Sequence, residues 1–351
     1  MNWRKYFAAL LAMCMLLVLV ACGQKDEDKQ TEPSQTVQPT DPQPSVTKPT
    51  DPQPTDPQPT TPQPGGETSQ ISPLLYQVED SNGNVAWLFG SVHIGEEYFY
   101  PLPDYVISAY EGADALAVEY DIVAFEKDMS AQMEMVKKMY YQDGTTIKDH
   151  IPAELYNKAV EVMEDCDMYA PYMDLLYPIM WSQLIENAVY EKLGINYDLG
   201  IDQHMLDRAY KDGKKILDVE SAEFQYSMLV NYSAPLQSLL LEESVASYYA
   251  QDEVKATADE MLSIWAGGNE QTFREFLDAE QEFETQEEAN LYAEFVKAME
   301  TDRNIGMADF VEDSLASGEE VFVCVGAAHV VGADAMVELL RERGYTVTLV
   351  K

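Results

Sequence analysis

Two Gly-x-x-His segments hold the residues best suited to chemistry. Val85-Phe89 leads into Gly90-Ser91-Val92-His93, and Val321-Val325 leads into Gly326-Ala327-Ala328-His329. The chain has only 4 histidines, and two of them occupy equivalent places after short apolar runs. Glycine permits a tight exit from a strand, so the imidazole that follows can turn into a crevice at the sheet edge. Two further apolar runs end on carboxylates, Ala115-Val118 at Glu119 and Ile216-Val219 at Glu220. Two neutral imidazoles with one or two carboxylates make a divalent-metal set. A metal there would acidify a water or polarise a carbonyl, and a spare carboxylate could move the proton. Each residue also has a structural reading. A histidine after a strand can cap a turn or sit satisfied in the core, and Glu119 can cap a helix or form a salt bridge. Glu220-Ser221-Ala222-Glu223 can simply open a helix. His150, beside Asp149 and ahead of Pro152, reads as a surface-loop residue, and His204 as a structural residue within a helix.

Other chemistries lack their motifs. There is no HExxH helix, no Gly-rich phosphate loop and no GxSxG elbow around Ser91. A formal net charge of -40 argues against nucleic acid as a partner, because binding it requires neutralising phosphates. A diffuse acidic surface attracts cations without being a metal site.

The elements that must position these residues fall into three blocks. Leu74-Val78 and Val85-Phe89 flank the turn residues Asp80-Asn84, followed by a helix over Pro103-Gly112 and a strand at Ala115-Val118. From about 122 to 310 the apolar spacing is mainly helical: Met129-Tyr141, Pro152-Cys166, Met173-Glu191, Gly200-Asp212, Ala222-Val230, and then 234–250, 254–266, 270–278 and 283–313. Ile216-Val219 interrupts them as a short strand. The last block is strand Val321-Val325, helix Gly332-Glu342 and strand Thr346-Val350. The expected fold class is α/β: a central sheet built from the N- and C-terminal blocks, with a largely helical middle lobe and functional loops beyond the strand ends.

The start of the chain is of a different kind. Arg4 and Lys5 precede an apolar run from Tyr6 to Val20 that closes on Leu19-Val20-Ala21-Cys22. Residues 1–21 read as an export signal too short to span a membrane. The last four residues resemble the lipobox of bacterial lipoproteins, which implies lipidation of Cys22. Eleven of the 18 prolines lie between Pro33 and Pro64, with Asp-Pro-Gln-Pro at 41, 51 and 56. Residues 22–70 therefore read as an extended Pro-rich tether, and 71–351 as the folded domain. The expected location is the extracytoplasmic face of the cell membrane, either a bacterial surface or the periplasmic side in a two-membrane envelope. Cys166 and Cys324 remain for the folded part, paired or free.

The folded part resembles the TraB/GumN (PrgY-type) family, which is related to the Tiki metalloproteases and more distantly to the ChaN/erythromycin-esterase group. The resemblance runs from Leu74 to Val350. It rests on Trp87-Leu88-Phe89-Gly90-Ser91-Val92-His93-Ile94-Gly95, Tyr100-Pro101-Leu102-Pro103, Val118-Glu119, Leu199-Gly200-Ile201-Asp202, Val219-Glu220 with Gln225, Trp265-Ala266-Gly267-Gly268, Arg303-Asn304 and Val325-Gly326-Ala327-Ala328-His329-Val330-Val331-Gly332. Ser91 stands where threonine is commoner, and Asp302 where glutamate usually precedes Arg-Asn.

The resemblance implies an EreA/ChaN-like fold and a metal-dependent protease. His93, His329 and Glu119 are then the essential residues, and Arg303 and Asn304 are polar or substrate-orienting groups. The metal is a manganese-like ion by that resemblance, although the ligand chemistry alone admits Mn, Co, Zn or Fe. The expectation is a membrane-anchored hydrolase acting on a peptide or protein. His93 and His329 bind the metal, Glu119 is a third ligand or base, and Arg303 stabilises developing negative charge. Glu220 and Asp202 are supporting or alternative ligands. The rival is a noncatalytic surface lipoprotein that binds or sequesters a peptide signal, or takes part in envelope assembly.

Overall fold

The turn at Asp80-Asn84 sets the first pairing. Asp80 Oδ1 accepts from the backbone N–H groups of Asn82 and Asn84 at 2.8 and 2.9 Å, and Gly83 adopts φ 85°. This closes the hairpin of β1 (Leu75–Glu79) and β2 (Val85–Ser91). In this computed structural model, which describes residues 69–195, 197–279 and 281–351, the hairpin lies within one six-stranded sheet. The other strands are β3 (Ala115–Val118), β4 (Lys215–Asp218), β5 (Val321–Gly326) and β6 (Thr346–Leu349), in the order β4-β3-β5-β2-β1-β6. The residues read as an export signal, a lipidated Cys22 and a tether lie, as far as residue 68, outside the described residues.

Strands β2, β5, β3 and β4 run parallel, whereas β1 is antiparallel to both β2 and β6. Every residue of β3 and β5 is buried, as expected of central parallel strands covered on both faces. The register places Ser91 beside Gly326, and Val118 beside both Cys324 and Asp218. The carboxyl ends that precede His93, His329, Glu119 and Glu220 therefore share one edge of the sheet, the usual ligand edge of an open α/β sheet.

The α/β class holds, with local differences. The sheet takes β4 from the middle of the chain, beyond the strands of the two terminal blocks. The helix expected over 173–191 is a short 3-10 turn, Pro171–Leu175, followed by the helix Pro178–Lys192. Pro178 is suited to a first helical turn and holds Tyr177 extended, so the two cannot merge. The expected 283–313 helix is Gln286–Val296, a π turn Lys297–Thr301, and Asp302–Ser317. The last helix begins at Met336 rather than Gly332, and a one-turn helix, Ala327–Val330, carries His329. Residues 122–127 form a short helix that periodicity did not reveal, while the next helix stops at Lys138 short of Tyr141. Cys166 and Cys324 are both free. Among the described residues, no helix is long and apolar enough to cross a membrane.

The helix Pro178–Lys192 packs on the helix Ala234–Tyr249, with Glu186 accepting from Ser244 Oγ at 2.6 Å. Burial lifts the Glu186 carboxyl to about 7, against the opposing hydrogen bond. The folded chain thus holds this proton more tightly than the unfolded chain. Its contribution to stability is fully present below the ordinary carboxylate range and is lost as pH rises towards 7. Glu186→Gln is expected to gain on the order of 2 kcal/mol over the unsubstituted chain at pH 8 and nothing at pH 4. Thermal melts at the two pH values check this, and an equal difference at both would refute it.

Candidate functional site

Close backbone approaches hold the two Gly-x-x-His turns together. A Cβ on Gly90 would lie 2.8 Å from Ala327 Cα and 2.9 Å from Ala327 Cβ, so the first turn packs directly against the second. Trp265 Nε1 donates to the Gly90 carbonyl at 2.8 Å. Gly200 meets the His93 backbone in the same way, since a Cβ there would come within 2.8 Å of the His93 carbonyl carbon. The next residue, Ile201, donates its N–H to the Val92 carbonyl at 2.9 Å. The helix Ile201–Asp212 thus starts against the first turn and delivers Asp202 to His93. Gly90→Ala is expected to cost about 1–3 kcal/mol through overpacking. Denaturant titration measures the loss, and an unchanged midpoint would show that the turns have room to separate.

Both histidines are fixed through one nitrogen. His93 Nδ1 lies 2.6 Å from Asp202 Oδ2, and Ser91 Oγ donates to the other oxygen of that carboxylate. His329 Nδ1 lies 2.7 Å from Asn304 Oδ1, while Asn304 Nδ2 donates to the Asp334 carbonyl at 3.0 Å. An acceptor faces each Nδ1, so each ring carries its proton there when neutral and offers a lone pair at Nε2. Both Nε2 atoms are buried and have no hydrogen-bond partner. Burial draws the His93 pKa down, but the charge and hydrogen bond of Asp202 and the charge of Glu119 leave it raised. For His329, burial and the Arg303 charge prevail over Glu119 and lower it to about 3. One imidazole therefore favours a proton or another cation, and its neighbour stays neutral at physiological pH.

Arg303, 1% exposed, organises the carboxylates. Its Nη2 donates to Glu119 Oε2 at 2.6 Å and Glu220 Oε2 at 2.8 Å, and its Nε lies 3.0 Å from Glu220 Oε1. Gln225 Nε2 bridges the same two side chains at 3.0 and 2.9 Å, and the Gly326 N–H donates to Glu119 Oε1 at 3.0 Å. Burial pushes the Glu119 carboxyl up, but Arg303, His329 and His93 together bring it down to about 2. A carboxylate held that low is a poor proton acceptor near neutrality. It suits a fixed anion that balances a neighbouring cation, and a role as base would require release from Arg303.

The residues singled out from sequence therefore converge on one edge, although they divide into two groups. His93 and His329 present free nitrogens, supported by Asp202 and Asn304. Glu119 and Glu220 are tied to Arg303. Among the described residues, no cluster of three or more His, Cys, Asp or Glu side chains has metal-holding geometry. Asp302 points elsewhere and pairs with Lys297, so the aspartate at that position does not disturb Arg303. His204 packs on Tyr100 with the rings tilted by 33° and their centroids 4.4 Å apart, and His150 stacks on Tyr141 at 4.2 Å. Sequence reasoning missed Glu300, on the π turn one helical turn before Arg303. Burial, then Asp278 and Asp334, raise its carboxyl to about 7 against the pull of Arg303. The motif gave no signal for it, because its position depends on the π turn.

The protein is thus an α/β domain with paired Gly-x-x-His turns at the carboxyl edge of its sheet. The chain belongs to the TraB/PrgY/gumN family, whose model matches residues 74–349. It is 24% identical over 182 residues to the uncharacterized protein YbaP of Escherichia coli K12, and equally to the YbaP of Shigella flexneri. The match spans 51% of this chain and 62% of each relative, less than two thirds of their length. No solved structure matches the chain.

Proposed function

We propose that the domain is a metal-dependent hydrolase that cleaves peptide bonds in an extracytoplasmic peptide or protein, anchored to the membrane through lipid on Cys22. The observation that carries the reading is the pair of buried imidazoles, each fixed at Nδ1 and open at Nε2. This is the arrangement of metal-ligating histidines, whose second nitrogen is normally held by a carboxylate or amide oxygen. His93 and His329 would hold a divalent ion, with Asp202 and Asn304 setting their tautomers. Such an ion supplies Lewis acidity towards a water or a substrate carbonyl. Glu119 balances the positive charge, and Glu300 is the nearby carboxyl able to exchange a proton near neutrality. Arg303 would grip a substrate carboxylate or steady developing negative charge once it gives up a glutamate.

One observation favours a second reading, a noncatalytic binder of peptide signals. Arg303 occupies both glutamates, which leaves neither as an open ligand or base. The experiment that separates the two incubates the full-length protein with a mixed peptide library. The runs use added manganese, zinc, cobalt or iron, or a chelator. Metal-dependent cleavage supports the hydrolase, and stoichiometric capture without product supports the binder. Mass spectrometry of the mature N-terminus for a diacylated Cys22 tests the anchor.

A further inference from the structure

Beside the Arg303 cluster lies a groove of about 610 Å³. It opens just past the carboxyl ends of β3 and β4, where Tyr120 and Asp121 follow Glu119 and where Ser221 and Ala222 follow Glu220. Its floor is apolar. Tyr120 and Met135 are buried there, with Phe125 beside them. Its rim is acidic, with Asp121, Asp128, Glu134, Asp218 and Glu223 against a single lysine, Lys138. That lysine is paired with Glu223 at 2.5 Å, and Glu134 is paired with Lys137 at 2.6 Å, which leaves the net negative charge of the rim on Asp121, Asp128 and Asp218. Asp121 and Asp128 accept backbone N–H groups at the starts of the helices Ile122–Lys127 and Met129–Lys138, contacts that fix their positions without cancelling their charge. Asp218 accepts from the Asp121 N–H at 2.8 Å, which holds two carboxylates on the same side of the mouth.

We propose that this groove receives a positively charged, apolar-flanked stretch of the peptide that the histidine site acts on, so that the preferred ligands are cationic amphipathic peptides. The inference rests on the peptide-directed reading of that site and adds the substrate class to it. The apolar floor takes up aliphatic side chains or the methylene stems of lysine and arginine, whose charged ends reach the rim. The net negative charge that Asp121, Asp128 and Asp218 leave around a low-dielectric cleft draws in cations and repels acidic chains. The same argument disfavours a second copy as the occupant, because a chain of formal net charge -40 is repelled by an acidic rim.

The test uses the full-length protein and a labelled decapeptide of alternating lysine and leucine, beside versions with glutamine or glutamate for lysine. The lysine peptide should bind at least tenfold more tightly than the glutamine peptide and weaken as salt rises, while the glutamate peptide should not bind. Ala131→Trp, which fills the groove from the helix Met129–Lys138, should weaken lysine-peptide binding at least tenfold. Glu134→Gln/Glu223→Gln alters two exposed side chains and should weaken it severalfold, whether or not the tryptophan variant folds. Equal affinity for lysine and glutamine peptides, or unchanged binding by the rim variant, would overturn the proposal. So would a dimer that Ala131→Trp abolishes. Groove-dependent binding without cleavage would sustain this inference and remove the hydrolase. Indiscriminate cleavage of neutral and cationic peptides would do the reverse.

Discussion

Arg303→Met is expected to destabilise the domain by about 3–5 kcal/mol, the usual cost of removing one partner from a buried ion pair. The arginine is 1% exposed, and Glu119 and Glu220 lie against it with side chains 11% and 8% exposed. Without the guanidinium, two carboxylates share a dry space in which Gln225 and the Gly326 N–H are the hydrogen-bond donors left facing them among the described residues. The pH dependence distinguishes this cause from loss of packing. In the unsubstituted chain the Glu119 pKa is depressed, so its stabilisation is present above the ordinary carboxylate range and is lost as pH falls towards 2. With Arg303 gone, the burial of Glu119 loses the largest charge that opposes it, so the variant should gain stability as pH falls from 7 to 5. Urea denaturation at the two pH values reads this directly. Adding Glu119→Gln and Glu220→Gln should recover most of the loss. An Arg303→Met protein as stable as its parent would show that the cluster does not hold the strand ends together.

The second large effect concerns metal. Protein prepared without chelator should carry near-stoichiometric divalent ion, and His93→Ala/His329→Ala should lose it, with affinity falling at least about 100-fold. That is at or beyond the upper end of what removal of a supporting residue alone costs. The two Nε2 atoms make no hydrogen bond, so their removal severs no protein contact at those positions. The structural penalty comes from the Nδ1 side, where Asp202 and Asn304 lose a partner, at about 1–3 kcal/mol for each site. Circular dichroism should therefore report a folded variant, and elemental analysis an empty one. Equal metal in both proteins would place any ion elsewhere. No metal in either, after reconstitution with manganese, cobalt, iron or zinc, would favour the peptide-binding reading.

The strand ends were legible in the sequence because each apolar run stops on a glycine or a carboxylate, and those stops align in the parallel register. The convergence of His93, His329, Glu119, Glu220, Asp202, Arg303 and Asn304 followed from that alignment and from the family motifs. What periodicity could not supply was the assignment of partners. Nothing in the spacing of Glu119 and Glu220 shows that one arginine, far along the chain, bonds to both. Nor could helical spacing place the π turn at Lys297–Thr301, where one extra residue leaves the apolar pattern nearly intact while redirecting Glu300. Gly200 is a similar case, because its small size is explained only once the His93 backbone is seen against it.

The way the chain enters the sheet bears on the proposed choice of substrate. Leu75, at the start of β1, faces Phe89 near the end of β2, and the Ser72 N–H donates to the carbonyl of Ala266, next to the Trp265 that holds Gly90. The upstream segment therefore joins the fold at the same edge as the histidine pair. Under the proposed anchoring through Cys22 and the proposed action on peptides, a peptide lying on the anchoring surface and a peptide free in solution would be unequal competitors. The surface-held peptide would meet the site at an effective concentration set by the length of the intervening segment, and shortening that segment would change selectivity without touching a single residue of the site.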